Sequence, residues 1–310
     1  MAESLELGFT PPYDWKSIND FLAARAIPGI EVVDGERYRR TITMNGQNGI
    51  IEIAPVDSGR ALAASIQFPE KAARPAIVGR IRRMFDLDAD PGPIAAHLGA
   101  DSVLEPLIAA RPGLRVPGAW DGFELAVRAM LGQQITVSGA RLLMGRLVEL
   151  HGEPFRASGR GNTRGLSAVF PTPESVAAAD LTVLGMPRAR ASAISRLAAV
   201  AAADPNLFRR DSSLVAAIER LTSLPGVGDW TAQYVAMRAL REPDAFPAAD
   251  VGLLRAMTEP DGLRPTPAAL LARAQVWRPW RAYAAQHLWT ELAADGALGG
   301  HHIARNPGLA

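Results

Sequence analysis

The sequence predicts an α+β N-terminal domain, built as an antiparallel sheet with helices, followed by an all-α body. Two observations support this prediction. Apolar and polar residues alternate with a period of two over residues 30–68, as in strands of a half-buried antiparallel sheet. From Pro91 onward the apolar residues recur at helical spacing instead, which is typical of amphipathic helices. The change of period places the end of the first domain near residue 90, so we expect this domain over residues 1–90.

Within the first domain, the alternating runs are IEVV, YRRTITM and GIIEIAPV. Asn, Asp and Gly tolerate the left-handed backbone of tight hairpin turns. Three such pairs separate the runs and predict turns: Asp34-Gly35, Asn45-Gly46 and Asn48-Gly49. A helix is predicted before the sheet, over residues 15–26, and another after it, over residues 75–85. The domain therefore combines one sheet with flanking helices.

In the helical body, the apolar spacing predicts helices that are joined by short connections. They cover residues 93–110, 121–132, 136–151, 173–180, 188–203, 212–222, 230–240, 250–257, 267–275 and 279–293. Residues 156–168 are rich in Gly, Arg and Ser, so we expect a surface loop there, either solvated or in contact with phosphate. The tail 299–310 is expected to fray, and its pair His301-His302 does not resemble a metal site.

Composition excludes several classes of site. The chain has 310 residues and no cysteine, which removes disulfides, thiolate zinc sites, cysteine nucleophiles and cysteine-ligated iron–sulfur clusters. Of the 33 basic residues only Lys16 and Lys71 are lysines, so no lysine amine is available after position 71. The start lacks a signal-peptide pattern and no apolar run is long enough to span a membrane. We therefore expect a soluble cytoplasmic protein of the bacterial type.

The most informative motif is LTSLPGVGDWTA at 221–232, which joins two predicted helices through a turn with two glycines. Gly226 and Gly228 allow the backbone to approach a surface closely, and the N–H groups that open the next helix favour an anion. The motif predicts a phosphate clamp, with an ordinary helical hairpin as the alternative. Its carbonyl groups on one side could hold a Na⁺ or K⁺ ion that bridges to phosphate; these are the carbonyls of Thr222, Leu224 and Val227.

This motif resembles the hairpin signature of the helix-hairpin-helix DNA glycosylase superfamily. Further stretches are similar to the bacterial 3-methyladenine DNA glycosylase II (AlkA) type and extend the resemblance over nearly the whole chain: PPYDW at 11–15, FLAARA at 21–26, FDL at 85–87, AARPGLR at 109–115, GVGDWTAQY at 226–234 and RPWRAYAAQHLW at 278–289. The resemblance implies a central helical subdomain over 117–242. It also implies a second subdomain that is assembled from 91–116 and 243–310.

The resemblance also implies the catalytic residue. In the superfamily a catalytic aspartate follows the hairpin by about two dozen residues, and Asp250 in the stretch FPAADV matches it. Without the family match, Asp250 reads as an N-cap of the following helix, and both roles can coexist. Asp244 is the competing carboxylate. Bifunctional members carry a Schiff-base lysine where this chain has Trp230, so strand cleavage by amine attack is not expected. Ala249 replaces a second acid of close relatives.

Aromatic residues at four positions match the base pocket of the family: Trp230, Tyr234, Trp289 and Phe21. Their electron-rich faces attract a cationic alkylated base. The alternative for Trp230 and Tyr234, four residues apart on one helix, is core packing. Val251 and Thr290 stand where the AlkA type has tyrosines, so we expect a roomier or a less aromatic pocket, with a corresponding effect on the range of substrates. The hairpin residues expected at the DNA backbone are Leu224, Pro225, Gly226, Val227, Gly228 and Thr231.

The family's wedge loop matches LGQQIT at 131–136, with Gln134 at the position that fills the gap left by a flipped base and Gln133 before it. As a bare pattern it would read as a helix end. The resemblance thus implies a monofunctional glycosylase of base excision repair that removes alkylated purines from double-stranded DNA. We expect a monomer with no cofactor. The alternatives are another lesion preference, such as hypoxanthine or uracil, and a non-catalytic module that binds damaged DNA. The chain could also be part of a longer fusion protein.

Overall fold

The computed structural model describes residues 3–156, 163–210, 212–259 and 261–294. Its N-terminal part contains a five-stranded antiparallel sheet with the strand order β1-β5-β4-β3-β2. The strands are β1 (Glu3–Gly8), β2 (Glu31–Asp34), β3 (Arg37–Met44), β4 (Gln47–Pro55) and β5 (Ala61–Gln67). Apart from the edge strand β1, the sheet is a meander of sequential hairpins. The three alternating runs predict β2, β3 and β4, and β5 lies within the predicted region 30–68 but outside those runs.

Two features of the sheet differ from the sequence prediction. The pair Asn48-Gly49 does not form a turn, since both residues lie inside β4, with Thr43 opposite Asn48 in β3. The turn is instead made by Asn45 and Gly46, whose φ angles are 52° and 70°. Gly49 is required for packing rather than for turning, because a Cβ atom there would come within 2.3 Å of a carbonyl oxygen of β5. Strand β1 was not predicted.

Helices flank the sheet and make up most of the described residues that follow it. In and just after the N-terminal domain they are α1 (Trp15–Arg25), α2 (Arg74–Met84), α3 (Pro91–Leu98) and α4 (Glu105–Ala110). The predicted single helix over 93–110 is thus wrong: the chain breaks between α3 and α4. At the break, Gly99 ends α3, while the side chain of Asp101 accepts hydrogen bonds from the Val103 N–H and from the Trp277 indole.

The body continues with helices that follow the predicted segments closely. They are α5 (Gly122–Leu131), α6 (Val137–His151), α7 (Pro173–Ala178), α8 (Arg188–Ala203), α9 (Leu214–Thr222), α10 (Asp229–Val235), α11 (Val251–Ala256), α12 (Pro267–Arg273) and α13 (Arg281–Ala294). After α10 the chain makes one π-helical turn over Ala236–Leu240. A small unpredicted hairpin pairs β6 (Glu153–Pro154) with β7 (Ala168–Val169). The predicted fold class is confirmed.

Two apolar cores lie on either side of a polar junction. One core joins the sheet to α1 and α2, and the other lies among the helices of the body. At the junction, buried Arg40 of β3 donates to Glu124 of α5 at 2.6 Å, and Arg128 of α5 donates to Glu31 of β2 at 3.0 Å. These buried pairs hold α5, which leads to the wedge loop, against the sheet.

The predicted surface loop 156–168 is only partly described, because residues 157–162 lie outside the described ranges, as does the tail with His301 and His302. The subdomain limits 1–90, 117–242 and 91–116 plus 243–310 stay predictions. Within the described ranges, every helix is too short or too polar to span a membrane. Those same ranges hold no group of three His, Asp or Glu side chains that could bind a metal ion.

Candidate functional site

The predicted hairpin is formed by α9, a short turn and α10. Gly226 has a φ of +78°, and a Cβ atom there would lie 2.6 Å from Cβ of Ala193 on α8 and 3.0 Å from Met130 on α5. Both the left-handed backbone and the close packing therefore require glycine. Gly228 is the N-cap of α10 and faces open space. Pro225, Gly226 and Gly228 are exposed, so the turn presents a bare backbone surface.

The flanking residues of the turn anchor it. Leu224 and Val227 are buried in the helical core, and the Leu224 carbonyl accepts a hydrogen bond from the Val227 N–H at 3.1 Å. A carbonyl oxygen has two lone pairs, so this bond leaves Leu224 able to accept a further contact. Thr222 caps its own helix with side-chain bonds to the Ile218 and Glu219 carbonyls. Thr231 is buried rather than open to a ligand.

Asp250 lies at the N-terminus of α11, where its Oδ1 accepts a hydrogen bond from the Leu253 N–H at 3.0 Å. The N-cap role is therefore real. The same carboxylate also accepts the indole N–H of Trp230 on Oδ2 and that of Trp289 on Oδ1, each at 2.8 Å. Asp250 is half-buried. A carboxylate with three donors and one partly open side is held in a fixed orientation.

The loop that delivers Asp250 is tied down at several points. The Phe246 N–H donates to the side chain of Gln233 on α10 at 3.0 Å, and the Asp250 N–H donates to the Pro247 carbonyl at 2.8 Å. The competing carboxylate, Asp244, is engaged elsewhere: Arg281 donates to both of its oxygens, at 2.7 and 2.9 Å. Asp244 therefore has a structural role in this loop.

Three of the four predicted aromatic residues form one cluster beside Asp250. The rings of Trp230 and Tyr234 are stacked, with centroids 5.4 Å apart and planes 8° from parallel. Trp289 meets Tyr234 edge-on at 6.2 Å. Phe21 reaches the cluster through an arginine, since the Arg238 guanidinium lies 4.7 Å from the centroid of Phe21 and 5.3 Å from that of Tyr234. The predicted residues of the pocket are thus brought together.

The cluster also contains two arginines that the sequence did not lead us to predict, Arg238 and Arg25. Arg238 donates to the Tyr234 hydroxyl at 2.5 Å and to the Pro117 and Gly118 carbonyls. Arg25 lies over the Phe21 ring at 3.8 Å. Their spacing could have indicated these contacts, because each arginine follows its aromatic partner by four residues on a helix. Burial raises the pKa of Tyr234, but the charges of Arg238, Arg25 and Arg128 outweigh it, so the pKa lies below its usual value.

Gly252 is a further site residue without a sequence signal. A Cβ atom at this position would lie 2.9 Å from Oδ1 of Asp250 and 3.3 Å from Cδ1 of Trp289. Glycine thus lets the indole and the carboxylate meet. Val251 beside it is 54% exposed, and the Thr290 hydroxyl donates back to the Gln286 carbonyl on its own helix. Neither residue adds an aromatic face.

The wedge loop lies between α5 and α6. Gln134 is exposed and has a left-handed backbone with φ of 62°. Gln133 points the other way: its Nε2 donates to the Gly226 carbonyl at 3.2 Å and to the Thr231 hydroxyl at 3.1 Å. Of the two predicted wedge residues, Gln134 is therefore presented to the outside, whereas Gln133 contacts the hairpin.

Comparison with known proteins identifies the family of the chain. Two protein-family models match the chain. The family model of the AlkA N-terminal domain matches residues 4–121, and that of the HhH-GPD superfamily base excision DNA repair protein matches residues 127–282. The chain is 35% identical over 286 residues to DNA-3-methyladenine glycosylase 2 of Escherichia coli, covering 91% of this chain and 95% of the relative.

Two further comparisons concern length and fold. A probable bifunctional transcriptional activator/DNA repair enzyme AlkA of Mycobacterium tuberculosis is 40% identical over 290 residues, but the chain spans only 57% of its length. The solved 3-methyladenine DNA-glycosylase from Archaeoglobus fulgidus superposes with a TM-score of 0.80 at 23% identity, covering 94% of this chain and 98% of that one. This likeness concerns the fold. The family models and the relatives at 35–40% identity confirm the resemblance, and the chain belongs to the HhH-GPD superfamily of base excision DNA repair proteins, with an AlkA N-terminal domain.

Proposed function

We propose that this chain is a monofunctional DNA glycosylase that removes alkylated purines, of the 3-methyladenine and 7-methylguanine type, from double-stranded DNA. One observation carries the proposal: the Asp250 carboxylate is held between the indole N–H groups of Trp230 and Trp289, on the segment that follows the hairpin. The relative from Escherichia coli, DNA-3-methyladenine glycosylase 2, supports the same activity.

Asp250 would act on the sugar. Breaking an N-glycosidic bond develops positive charge on the sugar ring, and a nearby carboxylate stabilises that charge while it orients or deprotonates an attacking water. An alkylated purine carries positive charge and leaves as a neutral base, so a separate general acid is not required. The two indole N–H donors would keep the carboxylate oriented toward the sugar and leave it negatively charged.

The flipped base would lie against the aromatic cluster. Trp230 and Tyr234 stack at 5.4 Å, whereas a base between two rings needs about 7 Å, twice an optimal carbon contact. The base would therefore take an outer face of this stack, near Trp289. Arg25 and Arg238 beside Phe21 and Tyr234 reduce the advantage of a cationic base there, because like charges repel.

The DNA backbone would bind at the hairpin, where the exposed turn around Gly226 and Gly228 offers N–H groups to a phosphate. The carbonyls of Thr222, Leu224 and Val227 would hold a Na⁺ or K⁺ ion, whose positive charge would favour a phosphate at the turn. Gln134 would fill the space of the extruded base. Because no lysine follows Lys71, the strand would be left intact at the abasic site.

The setting of the reaction is also part of the proposal. We infer a monomer that acts on DNA in the bacterial cytoplasm, with no catalytic metal or organic cofactor. The Mycobacterium relative is longer than this chain and is named bifunctional, so the activity is proposed for this segment whether or not it belongs to a longer fusion.

The test compares wild type with Asp250→Asn on methylated duplex DNA. Asn is as good an N-cap as Asp, so α11 should remain intact. Asp90→Asn, the same change at the N-cap of α3, is the matched control. We expect wild type and Asp90→Asn to release free 3-methyladenine and 7-methylguanine without strand cleavage, and Asp250→Asn to release neither.

Other results would support the rival functions. Binding without release from methylated DNA, together with release from hypoxanthine or uracil duplexes, would indicate another lesion preference. Binding without release from any of these would indicate a non-catalytic module. Strand cleavage by wild type in the absence of alkali would contradict the monofunctional mechanism.

A further inference from the structure

Gln133 joins two loops that are distant in sequence. Its amide Nε2 donates to the Gly226 carbonyl at 3.2 Å and to the Thr231 hydroxyl at 3.1 Å. Gly226 belongs to the hairpin turn, and the buried Thr231 lies in the first turn of α10. One side chain of the wedge loop thus contacts both parts of the hairpin.

The packing around this contact is tight. A Cβ atom added at Gly226 would lie 3.0 Å from Met130, which is on α5 just before the wedge loop. The hairpin and the end of α5 therefore meet through an apolar contact and through the amide of Gln133. Together the two contacts fix the distance between the wedge loop and the hairpin turn.

Gln134, the next residue, is exposed and has φ of 62°. This left-handed backbone is uncommon for a non-glycine residue and costs free energy unless the surrounding structure holds it. The Gln133 side chain is anchored by two hydrogen bonds to the hairpin, whereas the adjacent Gln134 side chain is exposed. The left-handed backbone at Gln134 accompanies this change of surroundings between the two neighbours.

From this geometry we propose that Gln133 is a positioning residue that couples the wedge to the hairpin. It holds Gln134 at a fixed distance from the hairpin turn that binds the phosphate. The duplex is therefore opened at the nucleotide whose phosphate lies at that turn. This inference rests on the proposed function and adds to it a residue that does not touch the flipped base.

The coupling should matter only where a base has to be extruded from a duplex. Opening the stack costs free energy in a duplex and costs least in a single strand. A defect in the wedge therefore lowers the rate on duplex DNA more than on a single strand that carries the same lesion. A general folding defect lowers both rates alike.

The test measures single-turnover release of 7-methylguanine from a duplex and from the matching single strand. Gln133→Leu keeps the size of the side chain and removes its donor. We expect the ratio of duplex to single-strand rate to fall about tenfold, the expected effect of losing two neutral hydrogen bonds. Gln275→Leu, which removes one helix-surface bond to the Leu271 carbonyl, should leave the ratio unchanged.

A second measurement does not depend on catalysis. With 2-aminopurine placed opposite a stable abasic-site analogue, wild type should raise the fluorescence on binding, because an inserted Gln134 unstacks the probe. Gln133→Leu should bind with less than half of this rise. Equal losses on duplex and single strand, or an unchanged fluorescence rise, would overturn the coupling role. If wild type releases no base but Gln133→Leu still shows the smaller fluorescence rise, the proposed function is refuted while the coupling of the wedge to the hairpin is supported.

Discussion

The indole nitrogen of Trp289 lies 2.8 Å from Oδ1 of Asp250, the same oxygen that accepts the Leu253 N–H and caps α11. One oxygen thus links the start of a helix to the aromatic cluster. The stability of α11 and the orientation of the carboxylate therefore depend on the same oxygen. Suitable substitutions should change one of these properties without the other.

Two substitutions of Asp250 should be equally inactive and differ in stability. Asn retains the cap, whereas Ala loses it at a cost of about 1 kcal/mol. We therefore expect Asp250→Ala to unfold at lower urea than Asp250→Asn, by about 1 kcal/mol in the free energy of unfolding. Equal stability of the two variants would contradict the cap role, and residual base release by either would contradict the catalytic role.

Trp289→Phe should slow base release while it leaves the fold intact. The substitution keeps an aromatic ring and removes the N–H that holds Oδ1 of Asp250. Loss of a hydrogen bond to a charged group predicts a rate about tenfold lower under single-turnover conditions. The control is Trp277→Phe, which removes an equivalent bond to Asp101. If Trp277→Phe slowed release as much as Trp289→Phe, the effect would not come from the carboxylate of the site.

Gly252→Ala should misplace the carboxylate. The added Cβ would come within 2.9 Å of Oδ1 of Asp250, so one of the two must shift, and we expect base release to fall roughly 10- to 100-fold. Gly79→Ala in α2 meets only an ordinary contact at 3.8 Å and should raise stability by up to about 1 kcal/mol. Full activity of Gly252→Ala would contradict the idea that the carboxylate of Asp250 and the indole of Trp289 require glycine at this position.

An alkaline titration of the four tyrosines should distinguish Tyr234. Arg238 and its neighbours lower the pKa of Tyr234, whereas burial raises the pKa of Tyr13, Tyr38 and Tyr283. A lowered pKa favours the ionised phenol, so Tyr234 should lose its proton first as the pH rises. Absorbance at the phenolate band should show one early tyrosine, and circular dichroism should confirm that the fold persists.

Tyr234→Phe should remove that early phase and leave the others. Arg238→Met should move the phase to higher pH, because the largest lowering contribution comes from this guanidinium. Four tyrosines that titrate together in the folded wild type would contradict the placement of Arg238 against Tyr234.

Much of the fold follows from local periodicity. The alternation in β3 and β4 and the helical spacing after Pro91 are properties of neighbouring residues, and both gave correct elements. Strand β1 was missed because its pattern is short, with Leu5 and Leu7 as its apolar positions, and because it pairs with β5, more than fifty residues away. The prediction of a turn at Asn48-Gly49 was wrong because pairing with β3 outweighed the local turn preference of these two residues.

The candidate site divides in the same way. Asp250, Trp230 and the hairpin glycines lie in stretches that resemble a family, and this resemblance was enough to select them. Gln133 could be placed near the wedge but not joined to Thr231, which lies 98 residues further along the chain. Gly252 carries no chemistry of its own, so no pattern of residue types could mark it.

The amino-acid sequence thus defined which chemical groups the protein has: one carboxylate in the family's position, aromatic rings near it, and neither a cysteine nor a lysine after Lys71. Which groups meet was settled by packing. Trp289 and Asp250 are separated by 39 residues, and Gln133 and Gly226 by 93. Such contacts form only when distant helices pack around a common core. The residue that a side chain meets at long range depends on how its helix packs, which local sequence patterns do not specify.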